Sequence, residues 1–209
     1  YGIELTWQHL IEATVAIHRG ARWVATNDDP TRPTDRGLVP GNGAAVAAVR
    51  VAVDVDPEVA GKPYRPLLDE TVARLGAGRP LLVGDRLDTD IRGAVNAGLD
   101  GLLVLTGSHG PADLLTSAPG SRPTHLGYDV GALLQPALDV EVARETARCG
   151  SVTARVVDGT LVLDGDPPST VDGWVAATWA AAHLAWQAQD AGRPLDLGVV
   201  LPALAMPTS

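Results

Sequence analysis

A single cysteine, Cys149, leaves the chain without an internal disulfide and without the thiols that a zinc cluster needs. Lysine is as scarce: Lys62 stands alone beside 15 arginines. Basic charge is short overall, with 16 Lys and Arg against 25 Asp and Glu. The net charge of −9 argues against nucleic acid or an anionic membrane as partner, since both call for a basic surface. No apolar run approaches the ~18–20 residues of a membrane helix. The first residues, YGIELTWQHL, have neither a basic start nor an apolar signal core. Repeats and low-complexity segments are missing as well. These absences describe a cytoplasmic globular chain, and 209 residues suffice for one good core or for one domain with a smaller appendage.

What is present reads as alternating helices and strands. Thr6 is a plausible N-cap for a helix over 7–19, with apolar Leu10, Ile11, Val15 and Ile17 and a stop at Gly20. RWVAT (22–26) reads as a short buried strand. NDDPTRPTDRGLVPGNG (27–43) reads as a long loop of turn formers, and loops of that length are often functional. The helix-like GAAVAAVRVAV follows, then a helix over about 64–75, a strand at 80–84, a helix near 89–97, a strand at 101–106 and a helix at 111–118. Such a rhythm, with near-continuous apolar strands, predicts an α/β fold with a parallel sheet covered on both faces. After about residue 137 the character changes. VTARVV and TLVL flank Asp158-Gly159, a hairpin signal suited to a type I′ turn. A long Ala- and Trp-rich helix runs from about 170 to 191, where the i, i+7 spacing of Trp179 and Trp186 favours a core face over a binding face.

The chemistry concentrates in LLVGDRLDTD (81–90). In a parallel sheet, ligands sit beyond the carboxyl ends of the strands, and Gly84-Asp85 falls at such an end. GD, four residues, then Asp90 gives one carboxylate at the strand tip and a second from the first turn of the next helix. Hard oxygen ligands of this kind suit Mg²⁺, which takes one or two carboxylates and keeps waters. The plainer alternative has Asp85 and Asp88 capping the helix N-terminus. Lys62, in Gly61-Lys62-Pro63, lies just ahead of a helix and about 22 residues ahead of the acidic loop. Adjacent strand ends would bring it near Asp85, where a compact ammonium suits a tight anion site better than a guanidinium; otherwise it is a surface lysine in a turn. The five histidines, at 9, 18, 109, 125 and 183, show no ligand spacing and read as structural or surface residues.

The order TNDD…PGNG, then GKP, then VGDRLDTDI, then GLDGLLVLTG resembles the haloacid dehalogenase superfamily. Within it, the chain is most similar to the branch with a C2-type cap that includes p-nitrophenylphosphatases and glycerol-phosphate phosphatases. The resemblance implies part of a Rossmann-like parallel-sheet phosphatase core, half of a C2-type α/β cap and a small α+β extension. It assigns 1–57 to the second half of the cap, 58–137 to the second half of the core and 138–209 to the extension, which resembles the partial acetyltransferase-like tail of actinobacterial glycerol-3-phosphate phosphatases. The tail has no glycine-rich pyrophosphate loop, so acetyl-CoA binding does not follow. Lys62 becomes the lysine contacting the phosphate and the nucleophile. Asp85 becomes a direct Mg²⁺ ligand, and Asp90 the second carboxylate, holding a metal-bound water or Lys62. In the cap loop, Arg32 becomes the specificity residue, or else a solvated loop arginine. Asn27 also faces substrate there, while Asn27 and Asp29 fix the backbone through side-chain turns. The substrate is a small phosphorylated metabolite, and the resemblance allows a homodimer through the cap.

The family's attacking aspartate, in a DxD motif, would precede Tyr1. Asp54-Val55-Asp56 imitates that motif but stands six residues before Lys62, too close for the intervening βα units, and Pro57-Glu58 follows it where the family has small residues. The expected partner is therefore an amino-terminal segment carrying the nucleophile. Without its strand, the edge beside Leu81–Val83 would be apolar and open. A Mg²⁺- or phosphate-binding module without turnover, or a degenerate remnant, is the competing reading; a third is an interaction protein using Trp174, Trp179 and Trp186.

Overall fold

Helix α1, Trp7–His18, starts where Thr6 turns extended and its N–H donates to His9 Nδ1 at 3.1 Å, closing a capping box. It ends before Gly20, whose φ of +90° suits glycine alone. The computed structural model describes residues 5–76 and 78–207, and the contacts divide the chain into two units, Tyr1–Gly76 and Ala77–Ser209. Residues 58–76 thus cluster with the amino-terminal portion.

In the first unit, β1 (Val24–Ala25) is followed by β2 (Thr31–Thr34), β3 (Gly37–Pro40), α2 (Asn42–Arg50), β4 (Glu58–Val59) and α3 (Pro66–Leu75). Strands β1 and β4 pair in parallel, and Ala25, Val46 and Val59 form a small core with Trp23 against it. Only Ala25 of the expected buried strand is enclosed; Val24 faces out. The stretch 27–43 is also more regular than a loop. β2 and β3 make an antiparallel hairpin in which Arg32 stands opposite Val39. Thr34 Oγ1 donates to Gly37 O at 2.7 Å and accepts from Arg36 N at 3.2 Å, which closes the turn. Pro33 and Pro40 obscure the strands in the sequence, yet proline is tolerated in an edge ribbon. The helix predicted through 53 stops at Arg50, whose side chain pairs with Asp56 at 2.7 Å. Asp54–Asp56 thus precedes β4 instead of ending a strand, the wrong side for a strand-tip nucleophile.

In the second unit, β5 (Leu81–Gly84) leads through a π-helical turn (Leu87–Ile91) into α4 (Arg92–Ala97), then β6 (Asp100–Val104), α5 (Pro111–Leu115) and β7 (His125–Gly127). β5, β6 and β7 form a parallel sheet in that order. Next come β8 (Glu141–Val142), β9 (Thr146–Cys149), β10 (Val152–Val157), β11 (Thr160–Leu163), α6 (Val171–Asp190) and α7 (Val200–Ala203). β8–β11 form an antiparallel sheet, and the β10–β11 turn carries Asp158 at φ 48° and Gly159 at φ 79°, the type I′ geometry. Thr170 caps α6 by accepting from Gly173 N at 3.1 Å.

Small Ala177, Ala180 and Ala181 let α6 approach the antiparallel sheet closely, while Trp174, Trp179 and Trp186 fill the space around them. These join Leu103, Leu114, Leu115 and Leu126 of the parallel-sheet region in one hydrophobic core. The tryptophans are core residues, as their spacing predicts. Arg122 ties the two regions together. Its guanidinium donates to both carboxylate oxygens of Asp190, at 2.6 and 2.8 Å, and lies 5.3 Å over the Trp186 ring. Among the described residues, no helix is long and apolar enough to cross a membrane.

Candidate active site

The carboxyl end of β5 carries the acidic loop. Asp85 follows Gly84 directly, and its carboxylate Oδ2 accepts the Ser108 N–H at 2.8 Å. That backbone hydrogen bond is the main force holding the Asp85 carboxyl below the usual carboxylate range, against a smaller opposing push from burial. Asp85 is therefore ionised at neutral pH, with Oδ2 held by the backbone and the Ser108 side chain adding a weaker hold on the carboxylate. A divalent cation that keeps most of its waters needs just such a hard, charged oxygen. No group of three or more His, Cys, Asp or Glu side chains gathers as a metal cluster among the described residues. Asp85 would thus contribute one ligand to a metal completed from elsewhere.

Two glycines make room for this arrangement. A Cβ on Gly107 would collide with the Asp85 side chain, and one on Gly84 with the Asp90 carboxyl. Asp90 is buried, with its Oδ2 accepting from Arg86 N at 3.1 Å. The carboxylate reaches back across the π-helical turn to tie its own entrance. Capping by Asp85 or Asp88 is not seen: Asp88 instead takes the Arg86 guanidinium in a fork, at 3.0 and 2.6 Å. Burial raises the Asp88 carboxyl, but the Arg86 guanidinium is the main force opposing it and the net shift is downward. Gly107→Ala in the full-length protein is expected to cost about 1–3 kcal/mol from overpacking. The melting temperature should fall by several degrees, and any Mg²⁺-dependent activity should fall with it as Asp85 is displaced.

In the first unit, three quoted stretches come together. Gly41 N donates to Pro30 O and Gly43 N to Asp29 O, each at 2.8 Å. A Cβ on Gly41 or Gly43 would strike the carbonyls of Asp29 or Asp28, so PGNG cradles the NDD turn. Asn27 Oδ1 accepts from Asp29 N at 3.3 Å, and Asn42 Nδ2 donates to Asn27 O at 2.6 Å. Gly61 packs against the Thr26 carbonyl, where no side chain would fit. Tyr64 then donates from its hydroxyl to Asp28 Oδ2 at 2.8 Å. Lys62 therefore sits on a turn fixed to the NDD loop, with a cis bond to Pro63. Arg32 projects from β2 and shares a shallow surface depression with Thr34, Asp35, Arg36 and Val39. Asn27, Arg32 and Lys62 belong to this unit, and Asp85 and Asp90 to the other.

The role of His109 was not legible in the sequence. Its Nδ1 accepts the Leu87 N–H at 2.8 Å, a contact across 22 residues that no local pattern signals. A cavity of the second unit, about 910 Å³, lies against Leu81, Leu102, His125, Tyr128 and Val175 and touches neither Asp85 nor Asp90. Its wall includes Asp129, Asp139 and Asp172 and no Lys or Arg, which is unsuited to a phosphate.

Residues 59–133 match the HAD-hydrolase-like family model. The chain is 44% identical over 201 residues to D-glycerol 3-phosphate phosphatase of Mycobacterium tuberculosis, covering 94% of this chain and 57% of that protein. It is 40% identical over 105 residues to the 5′-nucleotidase YutF of Bacillus subtilis, covering 49% and 41%. The crystal structure of glycerol phosphate phosphatase from M. tuberculosis in complex with magnesium superposes with a TM-score of 0.76 at 41% identity, over 93% of this chain and 56% of that one. The 4-nitrophenylphosphatase of Thermotoga maritima gives 0.58 at 31%, over 64% and 52%. The chain thus spans little more than half the length of the M. tuberculosis phosphatase that it matches. A β-strand ending in Gly-Asp, a second aspartate folded back on it and these likenesses agree: residues 59–133 carry the pattern of the haloacid dehalogenase-like hydrolases.

Proposed function

We propose that this chain is the carboxyl-terminal part of a cytoplasmic Mg²⁺-dependent phosphatase of small phosphate monoesters, with glycerol 3-phosphate the favoured substrate. The observation that carries the reading is the Asp85 carboxylate, fixed at the end of β5 by the Ser108 N–H and given room by Gly107. Mg²⁺, when bound there, would neutralise phosphate charge as the phosphoryl group transfers.

The chain's own residues would divide the work. Lys62 would bind a phosphate oxygen as a point charge. Asp85 would hold the cation, and Asp90 would keep the turn behind Asp85 closed. Arg32 and Asn27, in the portion assigned to the cap (1–57), would face the leaving group. Residues 58–137 would supply half of the core, and 138–209 the extension. The attacking aspartate would come from an upstream segment of the same protein, forming an aspartyl phosphate that water then hydrolyses. Pairing between caps of two copies belongs to the same proposal. The half-buried β5, which pairs only with β6 among the described residues, supports a further strand on its open edge.

A substrate panel on the full-length protein tests the reading. With Mg²⁺, glycerol 3-phosphate should give the highest kcat/KM among it, p-nitrophenyl phosphate, pyridoxal phosphate and AMP, and omission of Mg²⁺ should abolish turnover. Mg²⁺ binding without turnover on any ester would make the protein a binding module instead.

A further inference from the structure

We propose that His109 is a positioning residue for the acidic loop, setting the place of Asp85 and the π-helical turn through a single acceptor nitrogen. The inference rests on the metal-binding role proposed for Asp85. The segment Gly107-Ser108-His109 touches the loop at three successive points. Ser108 N donates to Asp85 Oδ2, His109 N donates to Asp85 O at 3.2 Å, and His109 Nδ1 accepts from Leu87 N. Both flanks of the Asp85–Leu87 backbone are thereby held by one tripeptide.

Other polar groups of the turn are tied to one another. Arg86 N donates to Asp90 Oδ2, and Asp90 N and Ile91 N both donate to Arg86 O at 3.0 Å. The Leu87 N–H lies outside this internal set, and Leu87 is itself buried, away from water. A buried backbone donor must find an acceptor, and His109 Nδ1 is the one it finds. An amide can only donate, so Nδ1 carries the lone pair and the ring proton of the neutral imidazole sits on Nε2.

A positioning residue must itself be fixed, and His109 is anchored on both sides. Behind it, Gly107 is pressed against Asp85 where β6 has ended. Ahead of it, Gly110 N donates to Asp113 Oδ2 at 3.0 Å and Pro111 starts α5. Trp186 Nε1 in turn donates to Leu114 O at 2.9 Å, clamping α5 to α6. The imidazole therefore transmits the rigidity of the core to the loop that would hold the cation.

The experiment compares His109→Asn, His109→Gln and His109→Leu in the full-length protein. Asn places an acceptor where Nδ1 lies, whereas Gln places one nearer Nε2. Mg²⁺ alone is titrated by calorimetry, and kcat, KM and the Mg²⁺ activation constant are measured with p-nitrophenyl phosphate. Partners of metal ligands change affinity by about 10–100-fold. His109→Leu and His109→Gln should therefore weaken Mg²⁺ by about that factor, with KM for the ester little changed, and His109→Asn should stay within about threefold of wild type. If His109→Leu does not fold, the Asn and Gln pair decides. Equal Mg²⁺ affinity for Gln and wild type, or a loss with Asn as large as with Gln, would overturn the proposal. Wild-type protein that binds Mg²⁺ but hydrolyses no ester would sink the phosphatase reading alone, since the calorimetric comparison judges His109 without turnover.

Discussion

Asp85→Asn in the full-length protein is expected to reduce Mg²⁺-dependent ester hydrolysis by more than about 100-fold, the upper range for losing a mere partner of a metal ligand. The substitution isolates charge from shape. An asparagine amide oxygen can still accept the Ser108 N–H, and Gly107 leaves the same room for either side chain. The loop should keep its course, and the calorimetric Mg²⁺ signal should disappear along with turnover. Near-normal Mg²⁺ affinity in the variant would remove Asp85 from the ligand set.

Stability supplies a second, independent signature of the same residue. The Asp85 carboxyl lies below its ordinary range in the folded protein, chiefly because of the Ser108 N–H. A depressed carboxylate contributes stability above its unfolded pKa and loses it as pH falls through the folded one. Metal-free wild type should therefore be slightly more stable than Asp85→Asn near neutrality, and the gap should close in acid. A gap that widened in acid would mean that the carboxyl is raised, and the site would then disfavour a cation.

The sequence disclosed features whose cause is local. Asp158-Gly159 announced its turn because both residues tolerate positive φ, and both adopt it. Strand β5 was legible because an apolar run ended in Gly-Asp, and α6 because its alanine-rich run and tryptophan spacing agreed. What stayed hidden depends on distant partners or on very short elements. The β2–β3 hairpin was masked by two prolines, although Thr34 and Gly37 marked its turn. β7, β8 and β9 have three, two and four residues, too few for periodicity to show. The π-helical turn has no sequence signature of its own; it follows from Asp90 folding back onto Arg86 N. His109 is the sharpest case, because its role depends on one N–H that becomes orphaned only after that turn has formed. The resemblance named the five candidate residues, while their supporting glycines, Gly84 and Gly107, acquire meaning only from the close approaches they permit.

Trp186→Ala should be the most destabilising substitution on α6, at about 3–5 kcal/mol, the range for truncating a buried tryptophan. Three contacts go at once. The indole is 7% exposed and packs edge-on against Trp179 at 5.5 Å. Its Nε1–H donates to Leu114 O, and the Arg122 guanidinium lies over its face. A protein of this size loses about 2–4 °C per kcal/mol, so melting should drop by about 10 °C. Trp186→Phe keeps an aromatic face for Arg122 and loses the N–H, so it should recover more than half of that drop. Trp7→Ala is the control: Trp7 is 71% exposed, and surface changes stay within about 0.5 kcal/mol. The consequence for the site follows from connectivity. Trp186 holds α5 through Leu114, and α5 begins two residues after His109. Loosening α5 should therefore weaken Mg²⁺ binding measured well below the melting temperature, although Trp186 lies on α6 and the acidic loop follows a strand of the parallel sheet. If Trp186→Ala melts early yet binds Mg²⁺ with wild-type affinity in the cold, α6 stabilises the core without steadying the loop that carries Asp85.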